Sequence, residues 1–269
     1  MTPTVEPASD PPSQQRAATG ALQFSPDGFA LLMDQANRYG YSCIVPGEDA
    51  ARALLLRHDV DLSLRAAARL AQAEAALGVR ATYFIMARSN FYDITSAASA
   101  RELHTIVDCG HALGLHWDAG LYASTGTSPA EAVEREIDLL QWMSAAPCIA
   151  VSHHQPSLHG LAEIDLGGVI NMYGSDVQEK FVYVSDSCMS FRSDPEEVMA
   201  SGQPLHLLLH PEYWAPGGSG LAEVTEALAA EECEVVQERF EGECALMLET
   251  VRRRSEFDGT LRASMRPKG

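Results

Sequence analysis

The chain of 269 residues lacks CxxC pairs and long apolar runs, and it has little positive charge. Its six scattered cysteines indicate reduced thiols in a cytoplasmic protein rather than a disulfide framework or a zinc knuckle. No segment approaches the roughly 18 successive apolar residues that a membrane-spanning helix requires. With 19 Lys and Arg against 37 Asp and Glu, the net charge of −18 argues against nucleic acid or an anionic membrane surface as the main partner.

The two ends of the chain differ from its centre in composition. Residues 1–22 are rich in Pro, Ser, Gln and Thr and contain no apolar run after a basic start, so we expect a disordered leader rather than a signal peptide. Residues 23–251 have the composition of one globular domain with a sizeable core. Residues 252–269 are basic and lose periodicity, and we predict a flexible tail there.

One short apolar stretch ends abruptly in titratable residues. Positions 53–56 predict a strand buried on both faces, and Arg57, His58, Asp59 and Asp61 follow it. Side chains alternate along a strand, so Asp59 and Asp61 should point to the same side. Two carboxylates so close together favour a metal ligand and a general base. The alternatives are a solvated loop after a core strand, or a helix N-cap at Asp61.

Predicted strands alternate with helices of about 10 to 16 residues along most of the chain, which indicates an α/β fold with a mostly parallel sheet. Polar side chains follow one strand after another: Asp59 and Asp61, His116 and Asp118, His153 and His154, Asp186, and His210. The carboxyl ends of parallel strands converge on one rim, so we expect an active site there. Near the C-terminus, Leu221–Glu232 predicts a helix, whereas 233–236 and 245–248 contain strand-like residues.

Six motifs occur in a recognisable order: Arg57-His-Asp-Val-Asp61, Gly78-Val-Arg-Ala-Thr-Tyr-Phe84, Gly110-His-Ala-Leu-Gly-Leu-His116, Gln155-Pro156, Ser185-Asp-Ser187 and Leu207-Leu-Leu-His-Pro211. Together they resemble the polysaccharide deacetylases, carbohydrate esterase family 4, over roughly residues 24–214. The resemblance implies a distorted, incomplete (β/α) barrel. It also implies a hydrolase that uses one divalent metal to remove acetyl groups from N-acetylated sugars.

The resemblance also implies roles for individual residues. Asp59 matches the general base of the family, and Asp61 and His116 match two of its metal ligands. His210 matches the general acid, which protonates the departing amine, and Asp186 matches the acidic residue that polarises this histidine. A turn residue remains the alternative for Asp186.

The third metal ligand departs from the family pattern. The second histidine of the family falls on Gly120, which cannot bind a metal, so His154, His153 or Asp118 must replace it. We favour His154, because it follows a predicted strand at the family's Arg-Pro motif. Gln155 stands at that motif's arginine, so the base should have a different partner. An Asp/His site suits Zn²⁺ best, with Co²⁺, Ni²⁺ or Fe²⁺ as alternatives.

Gln155, Trp117, Tyr213 and Trp214 are the candidate substrate-binding residues, although aromatic residues after a strand can instead cap the barrel. Without an export signal, the expected substrate is a soluble N-acylated amino sugar or sugar-containing metabolite. Two alternatives stay open: a metal-independent hydrolase of a non-sugar amide or ureide, and a non-catalytic sugar-binding relative. The oligomeric state does not follow from the sequence.

Overall fold

Eight parallel strands form a single curled sheet in the computed structural model, which describes residues 22–122, 125–159 and 168–264. The strands are β1 (Ser42–Ile44), β2 (Ala53–Val60), β3 (Thr82–Ile85), β4 (Ala112–Trp117), β5 (Cys148–His153), β6 (Ile170–Asn171), β7 (Val182–Ser185) and β8 (Leu205–Leu209). Their order is β6-β5-β4-β3-β2-β8-β7, with β1 also paired to β2, and every pairing is parallel. The predicted incomplete (β/α) barrel is confirmed.

Helices connect the strands and cover the outside of the sheet. They are α1 (Pro26–Arg38), α2 (Leu64–Ala76), α3 (Ala97–Asp108), α4 (Pro129–Ser144), α5 (Pro156–His159), α6 (Ser175–Gln178), α7 (Pro195–Ser201), α8 (Pro211–Trp214) and α9 (Leu221–Ser264). The first four begin after a serine whose hydroxyl accepts a backbone hydrogen bond from the first turn: Ser25, Ser63, Ser96 and Ser128. These N-caps fix where each helix leaves the sheet.

Strand β2 is the centre of the fold, and all eight of its residues are buried. Leu54 and Leu56 belong to the large core between the sheet and its helices. Leu55 points the other way, into a smaller apolar cluster inside the barrel with Phe84 and Ala150. Because side chains alternate, the later residues of β2 that share the parity of Leu55 also face the barrel interior.

The C-terminal part of the chain corrects the sequence predictions. A single helix, α9, includes positions 233–236 and 245–248, so the strands predicted there are wrong. Strong helix formers such as Glu, Ala, Leu and Arg surround Val235 and Val236, and 245–248 consists of Ala, Leu and Met, which themselves favour a helix. The helix also continues through 252–264, which we predicted as a flexible tail. The predicted leader lies almost entirely outside the described residues. No described helix is both long and apolar enough to cross a membrane.

Candidate metal centre and active site

A cavity of about 550 Å³ opens at the carboxyl ends of the central strands. The predicted site residues that line it are Asp59, Asp61, His116, His154, Gln155, His210 and Tyr213, together with the alternative ligand His153. They come from the ends of β2, β4, β5 and β8, which the parallel sheet brings to the same rim. Its volume falls in the range of pockets that bind small molecules.

Three possible ligand atoms meet on one side of this cavity. Asp61 Oδ1 lies 3.1 Å from His116 Nε2 and 3.3 Å from His154 Nδ1, and the two imidazole nitrogens are 3.1 Å apart. A tetrahedral metal with bonds of about 2.0–2.1 Å holds its ligand atoms about 3.3 Å apart. Asp61 Oδ1 is also buried without a hydrogen-bond partner among the described residues. The triangle therefore fits a divalent metal in both size and donor type.

Neighbouring groups hold the ligands in place. His116 Nδ1 lies 2.7 Å from Ser152 Oγ, so the Nδ1–H tautomer leaves Nε2 free to bind a metal. The backbone N–H of His154 donates to the Trp117 carbonyl at 2.8 Å, which ties the end of β5 to β4. Burial alone would raise the pKa of Asp61, but His116 and His154 lower it well below its usual range. The carboxylate is thus ionised, as a metal ligand must be.

The other two candidate ligands do not join this triangle, although His153 also lines the cavity. His153 is buried between the rings of Trp117 and Tyr173, at centroid distances of 5.4 and 5.8 Å. Its burial lowers its pKa to about 4, so the imidazole is neutral. Asp118 Oδ1 accepts a hydrogen bond from the backbone N–H of Gly120 at 2.8 Å. Neither residue belongs to the group that His154 forms with Asp61 and His116.

Asp59 forms a buried ion pair that we did not predict. Arg57 Nε and Nη2 donate to its two carboxylate oxygens at 2.7 and 2.6 Å. The rings of Phe84 and Tyr173 each lie 5.2 Å from the Arg57 guanidinium carbon. Burial raises the pKa of Asp59, but the charge of Arg57, followed by that of His116, outweighs it and lowers the pKa. The sequence did contain a signal for this ion pair: Arg57 and Asp59 are two residues apart on one strand, which puts both side chains on the same face.

His210, at the end of β8, is held by Asp186. Its Nδ1 lies 2.6 Å from Asp186 Oδ1, and its backbone N–H donates to Asp186 Oδ2 at 3.0 Å. The indole N–H of Trp214 also donates to Asp186 Oδ2, at 2.7 Å. Burial lowers the pKa of His210, but the Asp186 charge outweighs it and raises the value to about 10. The imidazole is therefore protonated at neutral pH, with Nε2–H left for another acceptor.

Glu212 is a second group that the sequence predictions did not include in the site. Its side chain is buried on α8, and its Oε2 has no hydrogen-bond partner among the described residues. Burial, followed by the negative charge of Asp61, raises its pKa to about 8. A carboxyl group in this setting is mostly protonated at neutral pH.

The four candidate substrate-binding residues divide into two pairs. Trp117 and Trp214 are 1% and 0% exposed, and neither lines the cavity, so their prediction as substrate-binding residues is corrected. Trp117 packs on Tyr122, and Trp214 supports Asp186. Tyr213 and Gln155 do line the cavity, and the Tyr213 ring lies 5.1 Å from that of His210. Their binding role stays a prediction.

No family model and no curated protein sequence matches the chain. Solved structures do match, among them a family 4 acetyl xylan esterase from Clostridium thermocellum in complex with cobalt (13% identity, 66% of this chain and 84% of that chain, TM-score 0.41). Another is a deacetylase from Streptococcus pyogenes in complex with acetate (13% identity, 72% and 94%, TM-score 0.42). A carbohydrate esterase family 4 pseudoenzyme from Bacillus anthracis also matches (13% identity, 72% and 64%, TM-score 0.34).

Carbohydrate esterase family 4 is the family that the sequence motifs resemble. Because the matches include esterases, a deacetylase and a pseudoenzyme at such low identity and TM-score, they assign no activity to this chain.

Proposed function

We propose that this protein is a metal-dependent hydrolase that removes an N-acyl group, most simply acetyl, from a soluble amino sugar or sugar-containing metabolite. The observation that carries the proposal is the Asp61–His116–His154 triangle with a candidate base and a candidate acid beside it. Asp59 Oδ2 lies 3.7 Å from His116 Nε2, and His210 Nε2 lies 3.8 Å from Asp61 Oδ2. The triangle also favours this function over the metal-free hydrolase and the binding protein.

A divalent metal held by Asp61, His116 and His154 would supply a Lewis acid that lowers the pKa of water and polarises the acyl carbonyl. Asp59 is the base that accepts a proton from the attacking water. A carboxylate with a lowered pKa is a weak base, so it would accept the proton readily only from water whose pKa the metal had lowered. Arg57 keeps this carboxylate ionised and fixes the direction of its oxygens.

His210 is the acid. Hydrolysis of an amide releases an amine, which leaves readily only when its nitrogen is protonated, and His210 Nε2–H is the donor that this step requires. Asp186 holds the ring through Nδ1 and keeps it charged. The pKa values of Asp59 and His210 are shifted in opposite directions, which is the arrangement that separates a base from an acid within one site.

The cavity supports a small, polar substrate. Its outer wall includes Tyr173, Tyr183 and Arg192, which offer aromatic faces and a cation to a sugar or a linked anionic group. Its volume of about 550 Å³ suits a small sugar derivative.

Metal content tests the ligand assignment. Elemental analysis of the purified protein after reconstitution with Zn²⁺ should give one metal per chain, and His154→Ala should lose most of it, because two protein ligands bind a metal weakly. His104→Ala is the matched control, since His104 is exposed on α3. Full metal retention in His154→Ala would contradict His154 as a ligand. A wild-type protein that never binds metal would contradict the proposed function.

Acetate release from a panel of N-acetylated amino sugars tests catalysis. Asp59→Asn and His210→Ala should each lower kcat by about 100-fold or more while metal remains bound, since general acid and base groups contribute about 10²–10⁴-fold. Undiminished turnover in Asp59→Asn would show that Asp59 is not the base.

A further inference from the structure

Helix α9 has two different faces along its length. Near its start, Val224, Leu228 and Val235 are buried against the body of the protein, and Arg69 pairs with Glu231 at 3.0 Å. Beyond this point the helix continues for a further 29 residues to Ser264. The body-facing contacts therefore account for only the first third of the helix.

A second apolar face begins beside the last of these contacts, where Val236 lines a cleft with Leu64 and Phe91 of the body, and continues along the distal part of the helix. We call it the α9 stripe, and it consists of Cys233, Val236, Phe240, Cys244, Met247 and Val251. Successive members are three or four residues apart, so at 3.6 residues per turn they lie within about 40° of one line along the helix. Val236, Phe240, Met247 and Val251 are 45%, 70%, 58% and 66% exposed. A three-and-four spacing of this kind is typical of helices that pair in coiled coils.

The charges along α9 indicate what covers the stripe. Residues 231–243 contain six glutamates and one arginine, whereas 249–254 contain three arginines and one glutamate, Glu249, which pairs with Arg252 and Arg253. The second segment therefore keeps a net positive charge. Two copies aligned in parallel would place glutamate against glutamate and arginine against arginine. Two antiparallel copies place the arginines of each chain beside the acidic segment of the other, while the stripes remain in contact.

We infer that two copies of this chain form an antiparallel dimer through the α9 stripe. Each copy contributes the same six positions, so the interface is self-complementary about a two-fold axis. The dimer leaves the cavity accessible to substrate in each copy, because the stripe and the cavity share no residue. The inference does not depend on the proposed function.

Sedimentation velocity of the full chain over a concentration series tests the interface. The wild-type protein should sediment as a dimer, and Phe240→Glu/Met247→Glu should raise the dissociation constant about 100-fold or more. Leu246→Glu/Phe257→Glu is the matched control, since both residues are exposed but lie off the stripe. A wild-type monomer at all concentrations up to about 100 μM, or a dimer that the stripe variant leaves intact, would overturn the inference.

Charge reversal tests the orientation. Changing Arg252, Arg253 and Arg254 to Glu should weaken an antiparallel dimer about 10-fold, and adding Glu234→Lys, Glu238→Lys and Glu241→Lys to the same chain should restore it. In a parallel dimer, residues of like charge would face each other both before and after the reversal. An unchanged dissociation constant would therefore overturn the antiparallel arrangement. Circular dichroism of each variant verifies that α9 has remained helical.

Discussion

The buried Arg57–Asp59 pair makes a strong prediction about stability. Arg57 is fully buried, and both its hydrogen bonds to Asp59 are charge-assisted. Arg57→Met keeps much of the side-chain volume but leaves the carboxylate buried without its cation. Breaking a buried ion pair by removing one partner costs about 3–5 kcal/mol. Two charge-assisted hydrogen bonds at about 1.5–3 kcal/mol each give a similar total.

The loss should depend on pH in a defined direction. Arg57 lowers the pKa of Asp59 in the folded protein, so its contribution to stability is present above the unfolded pKa of about 3.9 and is lost as the pH falls through the lower folded pKa. In Arg57→Met the folded pKa rises, and the buried carboxyl can become neutral. The difference in unfolding free energy between wild type and variant should therefore be largest near pH 7 and shrink toward pH 4.

Urea unfolding at several pH values, with EDTA present throughout, measures this difference. Arg57→Met/Asp59→Leu is the informative control, because replacing both members of a buried pair restores much of the stability that removing one member costs. Arg38→Met provides the surface comparison, since the Arg38–Asp34 pair is exposed and should be worth less than about 1 kcal/mol. A loss that is equal at pH 4 and pH 7, or a double variant as unstable as the single one, would refute the reasoning.

Two other changes have expected outcomes. Asp186→Asn removes the charge that raises the pKa of His210 to about 10. The alkaline limb of the pH profile of kcat/KM for acetate release should therefore move to lower pH. A profile whose alkaline limb stays at the same pH would contradict His210 as the acid. Gly114→Ala places a Cβ 2.5 Å from two Phe84 ring atoms, so it should lower the free energy of unfolding by about 1–3 kcal/mol, measured by thermal unfolding. Gly242→Ala is the control, because its Cβ would meet no atom within 4 Å and should leave the stability unchanged or raise it.

The central architecture could be predicted because it depends on local patterns that agree with one another. The apolar run of β2 predicted a buried strand, and the alternation of strands and helices predicted the parallel sheet. Since a parallel sheet brings all its carboxyl ends to one edge, the polar residues after the strands could be expected at a common cavity without knowing their distances. Strands β1 and β6 have only three and two residues, too few for a periodic signal.

The errors arose where tertiary context determined the outcome. Trp117 and Trp214 were predicted to bind substrate because they are aromatic residues that follow strands. In the structure the indole N–H of Trp214 donates to buried Asp186, and Trp117 is itself buried. Arg57 and Asp59 lie on the same face of β2, but the sequence alone does not show that the two side chains pair. Their pairing depends on tertiary packing, in which the rings of Phe84 and Tyr173 lie against the guanidinium. In α9, Val235 and Val236 suggested one strand and the apolar run 245–248 a second, but neither segment has a partner strand in the described part of the chain, and Ala, Leu and Met favour a helix.

The proposed third ligand, His154, agrees with the packing around Gly120. A Cβ built on Gly120 would lie 2.8 Å from the ring of His159 and 3.0 Å from Asp118 Oδ1, so any side chain there would displace these groups. His154, by contrast, follows β5, whose backbone is hydrogen-bonded to β4 as far as Trp117. That pairing sets His154 beside His116, and their ring nitrogens come within 3.1 Å of each other. The packing around Gly120 and the pairing of β5 with β4 are therefore both consistent with the proposal that His154 is the third ligand.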